Sequence, residues 1–335
     1  MQTWLITGGA GFIGSHLVET VLQEREDVRV VNLDALTYAG SLKNLAAVED
    51  GVRYRFVRGD VCDRELVQRL LLEEKVDIVL HLAAESHVDR SIEAPSAFVR
   101  TNVEGSANLL ECARRAWQRQ DGTFPEEKRF LQVSTDEVYG ALPLEGGTPF
   151  REDTPLAPRS PYAASKAAAD LLALSYYTTY AFPVLVTRCS NNYGPRQHEE
   201  KLLPKTIACC LRRQPIPLYG DGRNIRDWIH VRDHCAALRA VAERGTCGQV
   251  YNIGADMELE NRLLVRRVVT YLHLRYSRAI DERLITVAPD RKGHDRRYAM
   301  DSSKLRQELG WAPKIPFDRG LQSTVNWYLA AWRGR

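Results

Sequence analysis

The sequence contains no apolar run approaching the roughly 18 residues that a membrane-crossing helix needs, so no span is expected. An excess of one charge is also missing. The formal net charge is +3, with basic residues spread along the chain, which gives no case for a nucleic-acid partner. Among seven cysteines (Cys62, Cys112, Cys189, Cys209, Cys210, Cys235 and Cys247) there is no C-x-x-C pair, and among eight histidines no H-E-x-x-H spacing. No metal is therefore expected, and the odd number of thiols reads as buried free cysteines in a reducing compartment. Internal repeats and low-complexity linkers are absent. The first residues run straight into an apolar strand pattern, leaving no room for a signal peptide, and the expected location is cytoplasmic. With 44% hydrophobic and 27% charged residues over 335 positions, the composition is that of a globular protein with a core large enough for two lobes.

What is present in quantity near the start is glycine. The stretch TWLITGGAGFIGSHLVETVL, residues 3–22, has a short apolar run, then Gly8, Gly9, Gly11 and Gly14, then apolar residues at helical spacing. This reads as strand, glycine turn and helix. Gly9 to Gly14 satisfies G-x-G-x-x-G, and Gly8, Gly11 and Gly14 satisfy the variant with glycines three apart. Bare backbone here lets a pyrophosphate reach the N–H groups of the turn and the positive end of the helix. Asp34 closes the second strand, VRVVNLD, 20 residues beyond Gly14, where a carboxylate binds the adenosine ribose hydroxyls and repels a 2′-phosphate. NAD is therefore the expected cofactor.

Strands and helices then alternate. Leu36, Thr37 and Gly40 are expected along the adenosine, and Asp60 with the following Val61 at the adenine. A helix over 64–74 leads to a strand over 76–84, whose end brings Leu82, Ala83 and Ala84 to the cofactor and Ser86 and His87 just beyond. His87 can equally serve as a helix-start hydrogen-bond partner. A helix is expected near 96–120, containing Asn102, and a strand over 129–135 running into Asp136 and Glu137. Adjacent strand residues face opposite ways, so these carboxylates serve one ligand only if the chain leaves the strand by Thr135. Residues 141–158 read as a surface excursion rich in Gly and Pro. Tyr162 and Lys166, four apart behind a Ser160 cap and Pro161, share one helix face. The ammonium is expected to lower the phenol's pKa. A strand over 182–195 ends in Asn191-Asn192-Tyr193-Gly194-Pro195, after which regular alternation stops. Arg196, Lys201, Lys205, Arg212, Arg213, Arg223, Arg226 and Arg232 follow, a few of which an anionic substrate would need. A helix over 231–243 and a strand over 249–254 return to the sheet, and further helices lie near 261–274 and at the end. The expected fold is α/β: a Rossmann-type parallel sheet with helices on both faces, plus a smaller, discontinuous α/β substrate lobe. Residues 1–190 and 224–255 are expected to form the NAD-binding domain, and 191–223 and 256–335 the substrate lobe.

The segments TGGAGFIGSHLV, HLAAESHVDRSI, STDEVYG, SPYAASKAAAD, TRCSNNYGP, EKLLPK, RNIRDWIHVRDH and GHDRRYAMD together resemble the nucleotide-sugar 4,6-dehydratases, which are extended short-chain dehydrogenase/reductase proteins. The resemblance runs from Thr3 to about Pro313. It implies a lyase acting on a nucleoside-diphosphate glucose, foremost dTDP-glucose, with tightly held NAD. Tyr162 would take the 4-hydroxyl proton, Lys166 would hold the phenolate and the nicotinamide ribose, and Thr135 would orient the same hydroxyl. Glu137 would remove the C5 proton and Asp136 would protonate the departing 6-hydroxyl.

By the same resemblance, cofactor contacts extend to Phe12, Ile13, Asn102, Val133, Ser134, Cys189 and Asn191. Substrate contacts are expected at Ser86, His87, Asn191, Glu200, Lys201, Leu202, Arg226, Asn261, Asp290, Arg291, His294 and Tyr298. Pro217, Leu218 and Tyr219 would form the base pocket. Lys292 stands where the family commonly has proline, and Leu263 where it usually has an acidic residue. A homodimer built from the helices at 96–120 and 160–180 is also implied. UDP-glucose or another nucleoside-diphosphate hexose remains an alternative substrate. So do two other activities: an epimerase or decarboxylase, which would not need the acid pair, and a protein that binds NAD without turnover.

Overall fold

The structure is a computed structural model, and it describes residues 1–48 and 51–333. The last two positions of the expected substrate lobe, 334–335, lie outside the described residues.

β1 (Gln2–Thr7) and β2 (Val28–Asp34) flank α1 (Phe12–Glu24). β3 (Tyr54–Arg58), α2 (Arg64–Glu73) and β4 (Ile78–His81) continue the alternation. Two short helices follow, α3 (Val88–Glu93) and α4 (Pro95–Phe98). A wide π-helical turn over Val99–Glu104 then leads into α5 (Gly105–Trp117). β5 (Arg129–Thr135), α6 (Pro161–Tyr180) and β6 (Val184–Cys189) come next, and a seventh strand of the same sheet follows later in the chain. The large sheet is parallel throughout. It runs from the edge strand β3 through β2, β1, β4, β5 and β6 to the strand at Val250–Ile253. Its direction of winding reverses between β1 and β4, so the carboxyl ends of these two strands open a crevice.

Both faces of the sheet are covered. Trp4, Ile6, Val28 and Val30 pack with Leu17, Val18 and Val21 of α1 on one side. Leu5, Val31, Leu33 and Val79 pack with α2 and α5 on the other. Such two-sided burial explains the near-continuous apolar strand sequences.

The remaining elements are β7 (Asn191–Tyr193), α7 (Leu202–Arg212), β8 (Ile216–Tyr219), β9 (Ile225–His230) and α8 (Val231–Arg244). They are followed by β10 (Val250–Ile253), β11 (Glu258–Glu260), α9 (Asn261–Arg275), β12 (Ile285–Ala288), α10 (Ser303–Leu309) and α11 (Phe317–Arg333). β9 lies between β7 and β11 in a small sheet of its own, and β8 pairs with β12. A separate core of Leu203, Ile207, Trp228, Val265, Val269 and Val325 holds this second layer.

Several expected elements differ. The strand expected over 76–84 ends at His81, leaving Leu82 to Ala84 as open backbone at the crevice. The helix expected at 96–120 is interrupted by the π turn, and the strand expected at 182–195 divides into β6 and β7. Leu305, Leu309 and Trp311, expected in the substrate lobe, pack into the same core as Trp4 and Ile6.

Candidate active site

The crevice between β1 and β4 opens into a cavity of about 350 Å³, bounded by the glycine turn, the ends of β2, β4, β5 and β6, and residues 197–201. Gly8 adopts φ +71°, and a Cβ there would sit 2.8 Å from the Ala83 nitrogen. At Gly14 a Cβ would collide with the Gly8 carbonyl, so close approach of helix and turn requires glycine. Gly11 is different. Its φ of −76° suits any residue, and a Cβ would meet only the Gly8 oxygen, at 3.3 Å. Neighbouring protein does not require glycine at this position. The space beside it belongs to the cavity, and no side chain caps the N–H groups of α1. This bare helix start is the cradle that a dinucleotide pyrophosphate fits.

Asp34, buried at the end of β2, accepts the Ala10 N–H at 2.9 Å and the Leu36 N–H at 2.8 Å. Asp34, Thr37, Gly40, Asp60 and Val61 line the cavity, whereas Leu36 packs against the core beside it.

The acid pair sits where β5 stops. The strand ends at Thr135, and Asp136–Tyr139 form a tight 3₁₀ turn. The Thr135 hydroxyl caps that turn, accepting the Glu137 N–H at 3.3 Å and donating to Asp136 Oδ1 at 3.2 Å. Because the turn breaks the strand alternation, both carboxyl groups line the same cavity. Asp136 is only 2% exposed, and its Oδ2 has no hydrogen-bond partner. Burial pushes its pKa well above the usual carboxylate range, and the neighbouring Glu137 pushes the same way. Glu137 is also raised, chiefly by burial and further by Asp295, while Lys201, Arg226 and Arg291 pull against this without reversing it. The two groups therefore differ electrostatically. Arg226 is the cation that acts on Asp136, while three cations favour the ionised form of Glu137.

Tyr162 and Lys166 enter from α6, whose start is fixed by Pro161 and by Ser160 accepting the Ala163 N–H at 3.1 Å. Both are buried and line the cavity. Lys166 Nζ donates to the Val133 carbonyl at 2.6 Å. The Tyr162 pKa runs opposite to expectation. Burial raises it well above its ordinary value, the Glu137 carboxylate adds to this, and only contact with Thr135 opposes it. Desolvation of the phenolate outweighs anything the lysine contributes. Behind Lys166, Asp170 is fully buried and accepts Arg188 Nε at 2.9 Å. Arg188 also donates to the Tyr139 hydroxyl at 2.9 Å.

Other expected cofactor and substrate residues fall into three groups. Phe12, Ile13, Leu82, Ala83, Ala84, Ser86, Val133, Ser134, Cys189, Asn191, Glu200 and Lys201 line the cavity. Asn102 does not. The π turn buries it, and its amide holds both the N–H and the carbonyl of Glu85 (2.8 and 3.0 Å) and bonds Ser165. Asn102 thus props the cavity wall instead of reaching a ligand. His87 caps α3 by accepting the Arg90 N–H at 3.4 Å, the helix-start role that its position also allowed.

The third group forms an adjoining cluster outside the cavity lining. Arg226 donates to the Asp295 carbonyl at 2.9 Å and lies 4.3 Å over the Tyr298 ring. Tyr219 meets His294 edge-on at 6.3 Å, and His294 contacts Asp290 at 2.6 Å. Asn261 Oδ1 is buried without a partner, which leaves it as an acceptor for a ligand group. Pro217 and Leu218 lie on β8 beside this cluster, and Leu202 opens α7. Arg291, one of the expected substrate contacts, is paired with Asp89 at 2.5 Å. Of the other basic residues singled out in the sequence, Arg196 pairs with Glu19 and Arg212 with Glu199, away from the acid pair.

Sequence reasoning passed over Glu85, Ser190, Gln197 and His198, which also line the cavity. Glu85 lay inside a quoted motif, and Ser190 lay between two residues already singled out. Gln197 and His198 carried no signal. Among the described residues no cluster of His, Cys, Asp or Glu is arranged to hold a metal ion.

A winding reversal with a bare helix start, and an acid pair facing a tyrosine and lysine, define an enzyme of the dinucleotide-dependent nucleotide-sugar type. The chain belongs to the GDP-mannose 4,6 dehydratase family, whose model matches residues 5–324. A dTDP-glucose 4,6-dehydratase of Xanthomonas campestris pv. campestris (strain B100) is 51% identical over 332 residues, covering 98% of this chain and 93% of that protein. The dTDP-glucose 4,6-dehydratase of Neisseria gonorrhoeae is 48% identical over 97% of this chain and 95% of its own length. Among solved structures, DesIV, a dTDP-glucose 4,6-dehydratase of Streptomyces venezuelae crystallised with NAD, is similar with a TM-score of 0.90. It is 45% identical and covers 99% of this chain and 98% of that chain. A UDP-glucose 4-epimerase of Thermus thermophilus in complex with NAD is similar at 31% identity and a TM-score of 0.85, over 98% of this chain and 100% of that chain.

Proposed function

We propose that the protein is an NAD-dependent lyase that converts dTDP-glucose to dTDP-4-keto-6-deoxyglucose. The observation that carries this reading is the placement of Asp136 and Glu137, by one tight turn, in the cavity that also holds Tyr162 and Lys166. NAD, when bound, supplies the hydride acceptor for C4 and the donor that returns the hydride to C6. Gly8, Gly11, Gly14 and the start of α1 would hold its pyrophosphate, and Asp34 its adenosine ribose.

The chain's own groups do the rest. Tyr162 would accept the proton of the 4-hydroxyl as C4 becomes a ketone, with Thr135 beside it to orient that hydroxyl; this role needs the phenolate, which burial disfavours in the protein alone and which the positively charged nicotinamide of bound NAD would favour. A ketone at C4 acidifies the C5 proton. Glu137, favoured in its ionised form by Lys201, Arg226 and Arg291, removes it. Asp136, held protonated by burial and by Glu137, donates its proton to the departing 6-hydroxyl, which leaves as water. Glu137 then returns a proton to C5 as C6 is reduced. One carboxyl charged and its neighbour neutral is the arrangement elimination needs, and the uneven distribution of cations supports that assignment.

Residues 1–190 and 224–255 are read as the cofactor-binding part, joined by the 305–311 stretch that packs into its core, and the remainder as the nucleotide-sugar lobe, with β9 bridging the two. A homodimer is part of the proposal. Leu171, Tyr177 and Tyr180 on α6 and Val99 beside α5 are large apolar side chains left 42–59% exposed, as a face awaiting a second copy would be. No helix among the described residues is long and apolar enough to cross a membrane, and a cytoplasmic location is proposed.

The test is mass spectrometry of products from dTDP-, UDP-, CDP- and GDP-linked glucose. Loss of one water from the dTDP sugar, ahead of the others, is expected. Turnover without loss of mass would instead indicate an epimerase, which does not use the acid pair.

A further inference from the structure

Three segments far apart in sequence meet along one edge of the cavity. The turn after β2 brings Tyr38, the start of α3 brings His87 and Arg90, and the stretch before α7 brings His198 and Glu200. The Arg90 guanidinium lies 3.7 Å from the centre of the Tyr38 ring, and the His198 ring meets Tyr38 edge-on at 5.5 Å. The Glu200 carboxylate stands 3.9 Å from Arg90 Nε, 3.7 Å from His87 Nε2 and 3.6 Å from His198 Nδ1. Lys201 Nζ ties the same segments a second time, donating to the Ser86 carbonyl at 2.9 Å.

Position sets this cluster apart from ordinary surface pairing. Thr37 and Ala39, on either side of Tyr38, line the cavity, as do Ser86, His198 and Glu200. Tyr38 and Arg90 are not in the lining, and the Arg90 side chain is 49% exposed. Tyr38 is half-buried and Arg90 half-exposed, so both stand outside the lining on its solvent-accessible side. The fold does not depend on them, because each segment has its own anchor. Asp34 holds the Leu36 N–H, the Ser41 N–H reaches the Ala10 carbonyl, His87 caps α3, and the Lys201 N–H closes its own turn on the His198 carbonyl. Exposed ion pairs and cation–π contacts add little to global stability. Linking segments from different sides of the cavity, they bear instead on how readily those segments part.

We propose that Tyr38, Arg90 and Glu200 form a clasp that retains NAD within the cavity. This rests on the redox-neutral reaction proposed above. A cofactor restored to its starting oxidation state within each cycle has no need to exchange with solvent, so a bar across its exit costs the cycle nothing. The third member of the clasp comes from the segment carrying Lys201, so the bar joins the dinucleotide side of the crevice to the sugar side.

The test measures NAD itself. Full-length protein is purified, its NAD content per protomer is determined after denaturation, and the release rate of isotopically labelled NAD is followed during a chase with excess unlabelled NAD. Arg90→Ala and Tyr38→Ala are each expected to release NAD about tenfold faster than the unaltered protein, the scale set by losing a partly desolvated cation–π contact together with its ion pair. Tyr38→Phe, which keeps the ring under Arg90 and gives up only the hydroxyl's contact with Ser86, is expected to release NAD clearly more slowly than Tyr38→Ala. Arg90 is exposed enough that its removal leaves the fold intact. Release from both alanine variants at the unaltered rate would overturn the clasp. An unaltered protein that neither carries nor binds NAD would overturn the underlying reading, a result visible before any substitution is made.

Discussion

Replacing Asp136 with asparagine is expected to stop the reaction after oxidation at C4. The substitution is nearly isosteric, and the site favours a neutral carboxyl, so no buried charge is lost with it. Asp136 Oδ1 accepts one hydrogen bond, from Thr135 at 3.2 Å, which the amide oxygen can also accept. The stability change should therefore stay within about 1 kcal/mol, the net worth of a single hydrogen bond. Catalysis responds differently, because an amide has no proton to give the 6-hydroxyl. Loss of a positioned acid costs on the order of 100- to 10,000-fold, or about 3–5 kcal/mol of barrier. Single-turnover absorbance of the reduced nicotinamide checks this. The unaltered protein should show a transient rise and decay, and the variant a rise that persists, with thermal midpoints nearly equal. Water loss at the unaltered rate would refute the acid role. Failure of the initial rise would instead implicate Asp136 in the oxidation step.

Gly11→Ala and Gly14→Ala should separate ligand from fold. The first leaves the thermal midpoint nearly unchanged but weakens NAD binding, read by calorimetry, while the second destabilises the protein itself, because its Cβ meets backbone. Asp170→Asn leaves Arg188 buried without a charged partner, and denaturant unfolding should show a loss of about 3–5 kcal/mol. Acid should destabilise the protein as pH falls below about 6.5, through its buried histidines. Burial lowers the pKa of His16 and His230 to about 4, and of His81 and His234 to about 3. Below about pH 6.5 the unfolded chain protonates at these positions and the native state does not, so stability falls with pH by up to about 1.4 kcal/mol per unit for each such histidine. Asp227, raised by burial to about 7, acts with the opposite sign between pH 3.8 and 7, and Asp136, Glu137 and Asp170, also raised by burial, act in the same direction, so together they offset part of the loss. Urea midpoints measured from pH 7.5 to 4.5 check the slope.

The parts of this site legible in the sequence are those fixed by local chemistry. The glycine turn, the Asp34 strand end, the Ser160 cap and the stop of β5 at Thr135 each follow from residues within a few positions of one another. Contacts set from far away were not legible. The π turn at 99–104 is matched to the Glu85 backbone, which Asn102 grips across 17 positions of sequence, and nothing within 96–120 announces it. The arginines after Pro195 read as candidates for an anionic ligand until Glu19 and Glu199 come into view beside Arg196 and Arg212. The Tyr162 pKa departs from its sequence-based expectation for a related reason. Spacing reveals the lysine four residues on but not the depth of burial or the carboxylate across the cavity. β9 pairs with β7 and β11 across segments whose sequences give no sign of each other.

The two backbone hydrogen bonds that Asp34 accepts carry a consequence for redesign. Exchanging this carboxylate for a small or basic residue is the obvious way to admit a phosphorylated ribose. Here, however, the side chain also fastens Ala10 of the glycine turn and Leu36, which is held at φ +52°. A cofactor swap would release both N–H groups and loosen the pyrophosphate cradle along with the ribose pocket. Altered coenzyme preference would therefore require a replacement acceptor for Ala10 before any new contact to the phosphate could raise affinity.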